Sequence, residues 1–178
     1  MKNDITDFKF DMALQMNKRD AMYDMVESGY EINKVRDDID TTILNKFVVM
    51  RGNVLKKNPE DMEATILKNK IWDLVYAGAD PEAFDNNQTN PLLLAVLNND
   101  SKLLEIFLSK NPDLSILYEE LSLIDIAILN NYTDIVNLLM EYADEKVLDE
   151  NGDFLKILNP QSSEALKKIA EHIDQLLS

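Results

Sequence analysis

Apolar blocks of about seven residues, each stopped by a polar pair, recur along the chain. The clearest is Pro91–Leu97, PLLLAVL, which ends at Asn98-Asn99. Proline suits the first turn of a helix, where its missing N–H has no partner to lose. Asparagine tolerates the left-handed conformation in which helices stop. This pattern predicts a short helix over 91–98. Ser101 then caps or enters a second helix, over 101–110, with apolar residues at 103, 104, 106 and 107, the spacing of one helix face.

The pattern repeats 32 residues later. Residues 89–110, TNPLLLAVLNNDSKLLEIFLSK, align without a gap on 121–142, LSLIDIAILNNYTDIVNLLMEY. Ala95 meets Ala127, Leu97 meets Leu129, and Asn98-Asn99 meet Asn130-Asn131. Elsewhere chemistry is kept, as in Leu92 with Ile124 and Ser101 with Thr133. Helices this short cannot bury their faces alone, so stacked neighbours must supply the core. The same reading predicts helix pairs at 7–16/18–28, 41–51/59–77, 91–98/101–110, 123–130/133–142 and 153–158/162–177. Gly29, Gly52 and Gly78 follow apolar helical stretches, as residues just past a helix end do. The second pair is irregular. The segment NVLKKNPEDMEATILKNK lengthens either its inter-helix loop or its second helix, with Pro59 placed at a first helical position.

These features resemble the ankyrin repeat. The family's T-P-L-H-x-A has its counterpart in Asn90-Pro91-Leu92-Leu93-Leu94-Ala95, and its G-A-D ending in IWDLVYAGAD at 71–80. AMYDMVESGYEIN at 21–33 is similar to that second segment, with Gly29 opposite Gly78. Asp149, Asn151 and Gly152 stand at hairpin-turn positions. The resemblance implies an all-α solenoid of stacked helix pairs joined by hairpin-type loops. It further implies one domain over 1–178, with repeats at approximately 5–33, 34–80, 81–112, 113–144 and 145–178. A different helical-hairpin solenoid is the competing fold. The chain departs from the family at the histidine that ties adjacent loops, which is Leu93 in one repeat and Asp125 in the next. The usual loop network is therefore not expected, nor is the rigidity it confers.

Charge narrows the partners. Residues 81–153 hold fifteen acids against three lysines, a balance of −12 within a total of −15. This field repels nucleic acid and anionic membrane and attracts a basic protein. No apolar run reaches a membrane-spanning length, and no secretory leader is recognisable at the N-terminus. The chain has no cysteine, so disulfides and thiolate chemistry are excluded. A cytoplasmic location is expected.

Little suggests catalysis. His172 is the single histidine and lies beside the apolar stripe of the last helix, where packing explains it better than a triad. The segment DENGDF at 149–154 fails as a calcium loop, because the positions that should be aspartate and glutamate are Val147 and Leu158. No phosphate-binding glycine motif is present. No cofactor, metal or enzymatic activity is expected. Met12, Met16, Met22 and Met25 suit core filling on the first two helices, with an adaptable interaction face as the sharper reading.

In ankyrin proteins partners engage hairpin tips and the concave face of the first helices. The resemblance maps the tips to Asp85, Asn87, Tyr118, Glu119, Glu120, Asp149 and Glu150, and the concave positions to Leu93, Leu97, Asp125 and Leu129. Acids around an aromatic and leucine centre imply a non-catalytic module that binds a protein with a basic surface. The alternative is a stoichiometric inhibitor or immunity-type protein that neutralises a basic enzyme such as a nuclease.

Overall fold

The computed structural model describes residues 6–150 and 154–176. The described residues form ten helices and one two-stranded hairpin. The helices are α1 (Asp7–Gln15), α2 (Arg19–Glu27), α3 (Ile43–Lys57), α4 (Met62–Tyr76), α5 (Pro91–Leu97), α6 (Ser101–Leu108), α7 (Leu123–Leu129), α8 (Thr133–Glu150), α9 (Phe154–Leu158) and α10 (Ser163–Leu176). The hairpin pairs β1 (Leu117–Tyr118) with β2 (Leu121–Ser122) in antiparallel register, Tyr118 opposite Leu121. The chain divides into two compact units, Met1–Leu94 and Ala95–Ser178.

In the first unit α1 pairs with α2 and α3 with α4, and α4 also receives α1 and α2. Phe10, Leu14, Met22, Leu44, Ile71 and Leu74 close the core between them. Each such side chain contributes about 1.5–3 kcal/mol on leaving water. Phe10 stacks on Tyr30 with ring centroids 4.4 Å apart. In the second unit α6 and α7 pack on α8, α9 follows α8, and α10 lies against α7. Leu103, Phe107, Ile124, Ile135, Leu139 and Ile169 are buried there.

The helix ends follow the local rules. Gly29 and Gly78 have φ of 101° and 104°. Each starts a paired closure of the last turn: Gly29 N–H donates to Val26 and Tyr30 N–H to Met25, while Gly78 N–H donates to Val75 and Ala79 N–H to Leu74. Asn17, Asn99 and Asn131 do the same work after α1, α5 and α7, with φ between 53° and 57°. The Asn-Asn stops are thus real, and the left-handed residue is the second of each pair.

Three expectations fail locally. Gly52 is buried within α3, which runs on to Lys57, so the extra length of the second pair lengthens its first helix as well as its second, α3 and α4 having 15 residues each. Pro59 lies in the turn ahead of α4, whose cap is Asp61, accepting from the Glu63 N–H at 2.9 Å. Asp149 and Glu150 are the last two residues of α8, not a turn, while Asn151 and Gly152 lie outside the described residues. The segment ADEKVLDE at 143–150 contains no glycine or proline and is rich in strong helix formers, so nothing in it halts the helix. No described helix is long and apolar enough to cross a membrane.

Candidate functional site

Three tight loops precede α3, α5 and α7. In the first, Arg36 bridges to Thr41 around Asp37, Asp38, Ile39 and Asp40, the last at φ 54°. In the second, the Asp85 N–H donates to the Thr89 carbonyl at 2.9 Å, with Gln88 at φ 58°. The third is the β1–β2 hairpin, whose two connecting residues, Glu119 and Glu120, have φ of 50° and 66°. Two consecutive left-handed residues form the turn that matches the twist of paired strands, and asparagine-glycine is the sequence that suits it best.

The residue after each loop caps the helix that follows. Thr42 Oγ1 accepts from the Asn45 N–H at 3.1 Å, and Asn90 Oδ1 from the Leu93 N–H at 2.8 Å. Ser122 and Asp125 form a reciprocal capping box at the start of α7. Ser162 repeats the device before α10, accepting from the Ala165 N–H at 3.1 Å.

Polar side chains also tie each loop to its neighbour within a unit. In the first unit Asn45 Nδ2 donates to the Thr89 carbonyl at 3.0 Å, Thr41 Oγ1 donates to Asp85 Oδ2 at 2.8 Å, and Asn86 Nδ2 donates to Asp40 Oδ1 at 2.9 Å. In the second unit Asp125 accepts from the Gln161 and Ser162 N–H groups at 2.7 and 2.8 Å, and from the Ser122 hydroxyl at 2.6 Å. Burial alone would raise the Asp125 carboxyl. The hydrogen bonds from Ser122, Ser162 and Gln161 outweigh it and hold the group below the ordinary aspartate range. Asp85 follows the same balance, burial against Thr41, Thr89 and Asn87.

These ties correct the expected surface. Asp85, Leu93 and Asp125 are 7%, 1% and 0% exposed, so none of the three is open to a partner. The two aspartates face inward because backbone and hydroxyl donors converge there, and Leu93 packs in the core. Asn87, Glu119 and Glu120 are exposed, Tyr118 and Leu97 are half-buried, and Leu129 is 55% exposed. Asp149 and Glu150 belong to a helix rather than a loop tip.

The acids of the first loop lie outside the surface expected from sequence. Asp37, Asp38 and Asp40 are exposed around Arg36, which is buried and held by Asp11 through two hydrogen bonds at 2.7 and 2.9 Å and by Asp38 at 3.1 Å. The signal was there: Thr41-Thr42-Ile43-Leu44-Asn45 parallels Thr89-Asn90-Pro91-Leu92-Leu93.

The methionines divide. Met22 is fully buried, whereas Met12 and Met16 are exposed. His172 Nε2 lies 3.0 Å from both carboxylate oxygens of Asp144, joining α10 to α8. Among the described residues no group of three or more histidine, cysteine or acidic side chains is arranged to hold a metal ion. Compared with protein-family models, with curated proteins and with solved structures, the chain has no match.

Proposed function

We propose that the chain is a divergent ankyrin-type repeat protein that works by binding a protein with a basic surface, without catalysis. The repeat reading is supported by the recurring unit of tight loop, capped first helix, left-handed asparagine and second helix. It is supported too by Asn45 and Asp125, which stand at the family's histidine position and carry loop-to-loop hydrogen bonds by other chemistry.

The observation that carries the binding reading is the hairpin tip of the second unit. Glu119 and Glu120 both occupy the left-handed region and both are exposed. A non-glycine residue held there costs of order 1 kcal/mol or more. Two charged side chains at positions that favour asparagine-glycine point to a role that outweighs stability. Tyr118, half-buried beside them, supplies an aromatic contact. Carboxylates at such a tip act mainly on the encounter rate with a basic partner.

The test compares the wild type with Glu119→Asn/Glu120→Gly, which keeps the turn and removes both charges. A basic protein is first captured from native extract at low salt, and its association kinetics are then measured against both proteins. The expected result is a slower on-rate for the variant and a weaker salt dependence. Equal rates at low salt would remove the hairpin tip from the interface.

A further inference from the structure

On the first unit, Phe8 and Met12 of α1 and Met16, the residue that closes its C-terminal end, face solvent at 71%, 45% and 56% exposure. They fall four residues apart, which places them in one line along the helix. The buried side of the same helix is Phe10, Ala13 and Leu14. The stripe is therefore a second apolar face that the fold does not use. From residue 8 to residue 16 it extends about 12 Å, two turns of a helix.

An open cleft beside Phe8 carries Asp7, Asp11, Asp37, Asp38 and the cations Lys34 and Arg36. Both cations are engaged. Lys34 Nζ lies 2.9 Å from Asp7, and Arg36 is held by Asp11 and Asp38. Asp37 is exposed and has no partner among the described residues. Four carboxylates against two engaged cations leave this rim negative.

We propose that this face is a docking surface for a basic amphipathic helix of another protein. The unbranched thioethers of Met12 and Met16 can repack against differing apolar side chains. The apolar stripe, with a net-negative rim at its Phe8 end, complements a helix with a leucine-type face and lysine or arginine at its border. The same negative rim repels an anionic lipid surface and a second copy of this chain, which would bring like charge against like. This surface is separate in residues and in unit from the Glu119–Glu120 tip, so each stands without the other.

The experiment uses the full chain with ¹³C-methyl methionine, titrated with a synthetic leucine-lysine peptide of about 18 residues, five helical turns, patterned as an amphipathic helix. Its controls are the same composition in scrambled order and the pattern with glutamate for lysine. The Met12 and Met16 methyl signals are expected to shift with the basic amphipathic peptide, while exposed Met62 stays in place. Phe8→Ser/Met12→Ser should weaken binding about ten-fold or more, since two apolar contacts are lost. Both positions are exposed, and thermal melts confirm that the variant is folded. Asp37→Lys should weaken binding at low salt, and Glu119→Asn/Glu120→Gly should leave the Met12 and Met16 methyl shifts unchanged. Shifts at Met62 as large as those at Met12, equal binding of the scrambled or acidic peptide, or no loss in the Phe8→Ser/Met12→Ser variant would each overturn the proposal. Loss confined to the hairpin variant would overturn it too and favour the hairpin tip instead.

Discussion

The Ser162 backbone N–H donates to Asp125 Oδ1 at 2.8 Å across 37 residues of chain. With the Gln161 N–H and both donors of Ser122, it makes Asp125 the acceptor for a loop and a helix start together. Replacing Asp125 by alanine would leave buried donors unanswered, each worth about 1–3 kcal/mol when unsatisfied. Asp125→Ala is expected to destabilise the protein by about 3 kcal/mol, read as a lowered urea midpoint. A loss under about 1 kcal/mol, the worth of an ordinary single hydrogen bond, would show that water replaces the carboxylate.

The pH dependence has a definite sign. Asp85 and Asp125 are held below the ordinary aspartate value of 3.8 by their donors, against the opposing effect of burial. A depressed folded pKa contributes stability that is fully present above the unfolded value and disappears as pH falls through the folded one. Stability from these two groups should therefore be flat above about pH 5 and decline below about pH 4. The stability gap between wild type and Asp125→Asn should narrow on acidification. A gap that stays constant to pH 2 would mean that the carboxylate charge contributes nothing.

The hairpin offers a prediction independent of any partner. Glu119→Asn/Glu120→Gly should stabilise the fold by about 1–2 kcal/mol, because both residues then suit φ above zero. Differential scanning calorimetry would register this as a higher Tm. An unchanged or lower Tm would show that the turn carries no strain to relieve.

Arg36 is buried and answers Asp11, Asp38 and Asp7, the last at 3.6 Å. Arg36→Gln should cost about 2–4 kcal/mol, since breaking such a pair strands its acids. Arg36→Lys should recover only part of this, because a single ammonium cannot meet Asp11 with two parallel bonds. Chemical denaturation of the three proteins measures both effects. Full recovery by lysine would reduce the site to simple charge balance.

Helix positions were legible because their causes are local. The apolar spacing, Pro91 at a helix start and the asparagines at 99 and 131 act within one or two turns. The paired helices could be placed to within a few residues wherever a stop residue was present. They failed at Gly52 and at 143–150, where a glycine was absorbed into a helix and no true stop occurred. Propensity favours or disfavours an end, but packing around α3 decided that Gly52 should be interior.

The candidate surface was less legible. Glu119, Glu120, Asn87 and Leu129 are exposed, as the hairpin and helix positions suggested. Asp85 and Asp125 carry the same formal charge as Glu119 in the sequence, yet they face inward. Whether a carboxylate is a surface charge or a buried acceptor depends on which donors arrive from elsewhere. For Asp125 these come from Gln161 and Ser162, and for Asp85 from Thr41 as well as its own loop.

The sequence by itself determined the recurring pattern of short helices, the Asn-Asn stops and the negative charge, since each depends on neighbours a few positions away or on a sum. Only the tertiary structure decided which acids remain on the surface, that α10 lies against α7, and that Phe8, Met12 and Met16 stay in water. Those outcomes depend on donors and apolar faces brought together from distant segments, and hydrogen bonds and burial are satisfied in space rather than along the chain.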